Sequence, residues 1–149
     1  MHRRNIFRAA LTAATGGLFA ARAVAQEAGD VHRPSASKVA YHLSDADKVT
    51  FVLGNIQNHI DGGPKDLKIE LVIHGPALKA FHARSAEPDL SRRVARFSKG
   101  GVGFAACGNT MKSQKVGLND LLPGFTVAEQ GGVVRLAELQ SMGYVYLRP

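Results

Sequence analysis

The sequence contains one cysteine, Cys107, and no tryptophan among its 149 residues. A single cysteine excludes an intramolecular disulfide and every Cys-x-x-Cys redox or zinc motif. There is no His-Glu-x-x-His stretch either, so the chain offers no recognised zinc-binding spacing. We therefore predict a protein without a resident metal or other cofactor. Its lone thiol is either chemically reactive or a small buried hydrophobic group.

Acidic residues are absent from the first 25 positions, whereas four arginines lie there. The formal net charge of +7 for the whole chain therefore falls to about +3 for the remainder. The basic residues Arg92, Arg93 and Arg96 are expected on the solvent-facing side of one helix. No aromatic residue accompanies them on which a nucleobase could stack. The charge distribution thus argues against a nucleic-acid partner.

The first 25 residues have the three-part order of an export signal. A short basic segment, residues 1–8, precedes a mildly apolar run, residues 9–21, which is too short to span a bilayer as a stable helix. The Ala-Val-Ala sequence at residues 23–25 is the small-x-small pattern that signal peptidase accepts, so we predict cleavage after Ala25. The alternative is an N-terminal helix that stays attached.

The export route is suggested by Arg3 and Arg4, which resemble a twin-arginine motif, although the general secretory route also fits. Residues 26–37 are polar and predict a flexible leader. No later segment is long and apolar enough to enter a membrane. We expect a periplasmic protein whose mature part has a single domain, residues 38–149.

Strand-like and helix-like segments alternate along that domain, which predicts an α/β protein with a parallel sheet and helices on both faces. Gly and Pro residues separate the segments at most of the boundaries. Helices are expected between successive strands, the first of them capped by Ser44. The five predicted strands are residues 38–43, 67–74, 102–106, 125–128 and 144–147.

In an open parallel sheet, ligands bind outside the carboxyl ends of the strands. The predicted strand ends bring seven candidate site residues to one rim: Ser44, His74, Gly75, Cys107, Gly108, Asn109 and Thr110. If a helix begins after Cys107, its free amides and dipole favour a reactive thiolate. His74 is a candidate to orient or deprotonate that thiol, or else it bonds a nearby carbonyl. His42 is a weaker candidate because it lies within a strand.

Four separated segments resemble the DsrE/DsrF-like family, in particular its small single-domain YchN-like branch. They are Phe-Ala-Ala-Cys-Gly-Asn-Thr at residues 104–110, Leu-Gly-Asn-Ile-Gln-Asn at 53–58, Val-Ile-His-Gly-Pro at 72–76, and the segment 140–149. The resemblance covers residues 38–149. It implies a three-layer α/β/α domain with a five-stranded parallel sheet, and homo-oligomers that are often trimers or hexamers.

The resemblance also implies a sulfur-relay function, in which Cys107 carries a persulfide and hands its terminal sulfur to a partner. The partner is a donor or acceptor protein, or a small thiol. His74, Asn109 and Thr110 would position the sulfur, and Ser44, Gly75 and Gly108 would complete the binding rim. Two alternatives remain open: a thiol redox or sensing protein, and a non-catalytic oligomeric module that binds a small ligand.

Overall fold

Five strands form one sheet in the computed structural model, which describes residues 37–149. They are β1 (Lys38–Leu43), β2 (Lys68–Ile73), β3 (Gly103–Cys107), β4 (Phe125–Ala128) and β5 (Val145–Leu147). All neighbours are parallel, in the order β4-β3-β2-β1-β5. The predicted signal peptide and residues 26–36 of the predicted leader lie outside the described residues.

Four α-helices connect the strands: α1 (Val49–Gly62), α2 (Pro88–Lys99), α3 (Gly108–Gln114) and α4 (Gly132–Ser141). Short 3-10 helices occupy Ala46–Lys48, Gly75–Phe81 and Leu118–Asp120. The alternation is the βα pattern that places parallel strands side by side with helices on the faces of the sheet. The predicted α/β class with a five-stranded parallel sheet is confirmed.

The two faces of the sheet are covered unequally. On one face, α1, α2 and the 3-10 helix Gly75–Phe81 bury a large apolar cluster against alternate strand residues such as Leu71 and Phe104. On the other face a small cluster lies beneath α4. It consists of Ala40, Val72, Ala105, Leu136 and Leu139. Because side chains alternate along a strand, the residues two positions after Ala40, Val72 and Ala105 lie on the α4 side.

Several predicted details differ from the structure, among them the ranges of the second, third and fifth strands. Ser44 does not cap α1, because a 3-10 turn, Ala46–Lys48, lies between them. The N-cap position of that turn is Asp45. The segment after His74 is a 3-10 helix rather than an α-helix. The third strand starts at Gly103 and includes Cys107, one residue later than predicted at each end.

The helix that follows Cys107 is short and ends at Gln114, well before β4 begins at Phe125. Lys115 adopts a left-handed conformation with φ 56°, and the Val116 amide donates to the Met111 carbonyl at 3.1 Å. This six-to-one bond is the Schellman termination of a helix. It turns Val116 toward the apolar core, where it packs.

Phe104 is a test of the larger core cluster, because it is 1% exposed in β3 and its ring lies 5.3 Å from that of Phe125. We expect Phe104→Ala to lower the free energy of unfolding by about 3–5 kcal/mol, since it leaves a cavity. Phe51→Ala is the matched control, because Phe51 is 55% exposed on α1. Urea titration followed by circular dichroism measures both. Equal losses in the two variants would contradict this account of the core.

Candidate functional site

Cys107 is the last residue of β3 and the N-cap residue of α3. Its backbone is extended, with φ −63° and ψ 117°, so its side chain follows the alternation of the strand. Ala105 packs beneath α4, and Cys107, two residues later, lies on the same side. The thiol is 6% exposed. The strand and the helix start together fix its position.

Four hydrogen-bond donors lie around the Cys107 sulfur and favour its charged form: the Thr110 hydroxyl and the backbone amides of Thr110, Gly132 and Asn109. Asn109 and Thr110 belong to the first turn of α3, and Gly132 is the first residue of α4. Burial raises the pKa of the Cys107 thiol, but these bonds outweigh it, so that the pKa lies below its usual value. Two helix N-termini therefore meet at one sulfur and favour its thiolate.

The Thr110 hydroxyl is directed at the sulfur by a bond from another strand end. The Gly75 amide donates to Thr110 Oγ1 at 3.0 Å, which leaves the single hydroxyl proton free for Cys107. Gly75 has φ +59°, a left-handed conformation that favours glycine. The predicted binding residue Gly75 thus acts on the thiol through Thr110.

Gly131 and Gly132 belong to the site, although the sequence analysis did not single them out. A Cβ on Gly132 would lie 3.4 Å from Cβ atoms of both Cys107 and His74. A Cβ on Gly131, whose φ is +102°, would approach the Asn109 side-chain nitrogen to 2.8 Å. The sequence does indicate these two glycines, because Gly-Gly follows β4 at the same carboxyl edge of the sheet as the other candidate residues.

The position of α4 is fixed by a two-pronged ion pair. Arg135 donates to both carboxylate oxygens of Glu70 in β2, at 2.7 and 2.8 Å. Such paired, charge-assisted bonds set geometry as well as energy. Because Arg135 lies one turn after Gly132, the ion pair holds the first amide of α4 over Cys107.

His74 does not bond the thiol among the described residues. Its Nε2 lies 2.5 Å from Nε2 of His42, whose Nδ1 lies 2.6 Å from the Tyr146 hydroxyl. His42 was the weaker candidate from sequence, yet the structure places it beside His74. Cys107, His74, His42 and Tyr146 thus form a row across β3, β2, β1 and β5 on the α4 side of the sheet.

Burial disfavours the charged form of both imidazoles. Burial lowers the pKa of His42 to about 4, with further lowering from His74 and Arg148, while Asp45 opposes the change. Burial also lowers the pKa of His74, again with Arg148 acting in the same direction and Asp45 against it. Ser44 lies outside the row: its hydroxyl accepts from Arg148 at 3.0 Å and donates to Asp45 at 3.3 Å.

The remaining predicted site residues are placed as follows. Gly108 is buried, and a Cβ there would meet the carbonyl oxygens of Ala128 and Glu129 at 3.1 Å, so it permits close packing against the end of β4. The Asn109 side chain is exposed beside Gly131. Of the seven predicted residues, Cys107, Asn109, Thr110 and Gly75 share one hydrogen-bond network, and Gly108 and His74 adjoin it.

A cavity of about 740 Å³ opens beside Thr110. Its other lining residues include Gly75, Lys79, His82 and Gln114. Gln114 donates to the Gly75 carbonyl at 2.9 Å, and its side-chain oxygen lies 2.9 Å from His82 Nε2, so these groups hold one another in place. The cavity thus adjoins the site at Thr110, and Cys107 is not among its lining residues.

Within residues 37–149 no group of three His, Cys, Asp or Glu side chains is placed to hold a metal ion. In the same part of the chain, no helix combines the length and apolar character needed to cross a bilayer. The reactive atom of the described site is the Cys107 sulfur. A thiolate held by four donors can act as a nucleophile and, after bond formation, as a leaving group.

Thr110→Val tests the hydroxyl bond to the thiol. Removing that donor should raise the pKa of Cys107, because the thiolate loses one stabilising hydrogen bond. The measurement is the pH dependence of iodoacetamide alkylation, whose midpoint should shift to higher pH. Thr110→Ser, which keeps the hydroxyl, is the control and should stay close to the unmodified protein. Superimposable profiles for all three proteins would show that the hydroxyl does not set the acidity.

Two solved structures resemble this chain. A protein of unknown function from Methanobacterium thermoautotrophicum is 28% identical, with a TM-score of 0.68, and the match covers 75% of this chain and 98% of that one. The ychN protein from E. coli is 13% identical, with a TM-score of 0.55, over 75% of this chain and 99% of that one. At that identity the second match shows a shared fold alone.

A search of the curated proteins finds no match. The DsrE/DsrF-like family model matches residues 20–149, which is most of the sequence. The match includes the sheet, all the helices and the segment around Cys107 that carried the resemblance. By this match and by its fold, the chain belongs to the DsrE/DsrF-like family.

Proposed function

We propose that this protein carries sulfur as a persulfide on Cys107, as a component of a sulfur relay. The observation that supports it most directly is the set of four hydrogen-bond donors around one buried sulfur. Donors fixed by two helix starts stabilise negative charge on that sulfur without reorganising when the charge forms. Membership of the DsrE/DsrF-like family agrees with this reading.

Loading is a thiol exchange that needs no oxidant. The Cys107 thiolate attacks the outer sulfur of a donor persulfide, R–S–SH. The new S–S bond forms at Cys107 while the old one breaks, and its electron pair leaves with the donor as a thiolate, R–S⁻. The product is Cys107–S–SH. A lowered pKa gives more thiolate at neutral pH, which accelerates this step.

Unloading is the reverse exchange, and it depends on the same hydrogen-bond donors around Cys107. An acceptor thiolate attacks the outer sulfur of Cys107–S–SH, and Cys107 departs as a thiolate. Leaving thiols with a low pKa depart faster. Thr110, Asn109 and Gly132 stabilise the Cys107 thiolate, which is the nucleophile in loading and the leaving group in unloading. A sulfur carrier requires both steps.

The decisive measurement is the intact mass of the protein after exposure to glutathione persulfide. We expect a gain of one or more sulfur atoms that is lost on reduction. Cys107→Ser, which changes sulfur to oxygen at the same position, should gain none. A gain of oxygen instead of sulfur would favour the thiol redox alternative, and an unmodified, alkylation-resistant Cys107 would contradict the carrier.

We also propose that the protein forms a homo-oligomer, a trimer or hexamer, through the exposed face of α4. Val133 and Val134 in its first turn are 71% and 44% exposed, and exposed apolar side chains on one helix face favour association. Light scattering after size-exclusion chromatography should give the mass of a multimer. Val133→Glu should reduce it, whereas Thr50→Glu, at an exposed position of α1, should not. A monomeric unmodified protein would contradict this proposal.

A further inference from the structure

The row of His74, His42 and Tyr146 is a continuous hydrogen-bonded chain over three adjacent strands. Nε2 of His74 and Nε2 of His42 are 2.5 Å apart, and Nδ1 of His42 is 2.6 Å from the Tyr146 oxygen. The two ring centroids are 4.7 Å apart, much farther than the two nitrogens. The imidazoles therefore meet by their edges rather than their faces, as a hydrogen bond requires.

Only two proton arrangements are compatible with a neutral chain, because a neutral imidazole has one donor and one acceptor nitrogen. In the first, Tyr146 donates to His42 Nδ1, His42 donates from Nε2 to His74, and His74 carries its proton on Nδ1. In the second, every bond is reversed and Nδ1 of His74 has a free lone pair. The second arrangement becomes the first when His74 Nδ1 takes up a proton, one proton moves along each bond, and Tyr146 releases its own proton.

The two ends of this hydrogen-bonded row, Tyr146 and Nδ1 of His74, lie in different surroundings. At one end, Tyr146 is 39% exposed in the edge strand β5. At the other, Nδ1 of His74 has no hydrogen-bond partner among the described residues. Since no buried side-chain nitrogen or oxygen there lacks a partner, that atom is open to solvent or to a ligand. The hydrogen-bonded row thus connects Nδ1 of His74, which has no partner among the described residues, to the protein surface at Tyr146.

His74 lies next to Cys107 at the carboxyl edge of the sheet, since Val72 of β2 pairs with Ala105 of β3 two residues earlier. A Cβ on Gly132 would touch His74 and Cys107 alike, each at 3.4 Å, so the two side chains flank the same glycine. A persulfide extends the thiol by about 2 Å, the length of one S–S bond. His74 is therefore near enough to Cys107 to meet an acceptor that attacks this outer sulfur from the same side.

We propose that His74, His42 and Tyr146 form a proton relay that deprotonates the acceptor of the Cys107 sulfur, and that this acceptor is a thiol. The inference rests on the proposed persulfide carrier. His74 Nδ1 takes the proton of the acceptor, R–SH, and the chain releases one proton from Tyr146. The resulting thiolate attacks the outer sulfur. The balance is R–SH plus Cys107–S–SH giving R–S–SH, Cys107–S⁻ and one proton.

The groups that face the relay favour its neutral form. Arg148, at the end of the β5 segment, lowers the pKa of both imidazoles, Asp45 after β1 opposes it, and burial adds to the lowering. Tyr146 faces His42 from β5, and Cys107 flanks His74 from β3. His42 has a pKa of about 4, so it remains uncharged at neutral pH. His74 can then act as a base and His42 can pass the proton on.

The experiment measures single-turnover sulfur transfer from the loaded full-length chain to glutathione. Cys107 is first loaded with glutathione persulfide, the donor is removed, and the loss of the persulfide is followed by intact mass as a function of pH. Sulfur transfer from the Tyr146→Phe variant should be about tenfold slower near neutral pH, because the variant lacks the hydroxyl that releases the proton from a general-base relay. It should approach the unmodified protein near pH 8.5, the usual pKa of a thiol, where the acceptor is already a thiolate.

His42→Gln, which breaks the relay in the middle, is a second variant with the same expected pH dependence. Tyr144→Phe is the matched control, since the Tyr144 ring lies 5.9 Å from Lys38 Nζ and takes no part in the chain. The final extent of loading should be equal in all of these proteins, because the relay changes the rate of sulfur transfer and not its equilibrium. Unchanged pH profiles in both relay variants would overturn the relay and leave the carrier standing. An unmodified protein that never loads would overturn both.

Discussion

The hydrogen bonds at Cys107 come from two helices that begin at the same edge of the sheet, and this convergence places strict demands on the chain around it. The amides of Asn109 and Thr110 come from α3, and that of Gly132 from α4. Both helices have to start within bonding distance of one sulfur. That is possible because β3 and β4 are neighbours, and because Gly131 and Gly132 present no side chain where Asn109 and His74 pack.

The unequal covering of the sheet serves this arrangement. The thick layer of α1, α2 and the 3-10 helix buries most of the apolar surface, while α4 covers only a small cluster on the opposite face. Polar side chains can therefore occupy the carboxyl end of that second face beside α4. His42, His74 and Cys107 each lie two residues beyond a buried residue of the small cluster, so one side of each strand is apolar in the middle and polar at the rim.

The sequence predicted the sheet, its five strands and the place of Cys107 at the end of the third, because alternating segments separated by Gly and Pro report strand and helix periods directly. It also placed Asn109, Thr110, Gly75 and His74 at one rim. It did not predict that His42 meets His74 or that Tyr146 joins them. Those contacts depend on the strand order, in which β5 lies beside β1, and segment periodicity does not encode that order. The sequence also did not predict that Gly132 lies at Cys107. That contact depends on where α4 lies across the sheet, which the Arg135–Glu70 ion pair sets.

Among residues 37–149, strand β5 pairs with β1 alone, and the contact between Tyr146 and His42 joins residues 104 positions apart. Contacts between such distant parts of a chain form late in folding, because the loop between them costs entropy before the contact repays it. The donors to Cys107 are closer in sequence: Thr110 is three residues away and Gly132 is 25. We infer an order of assembly in which the sulfur acquires its donors before the relay closes.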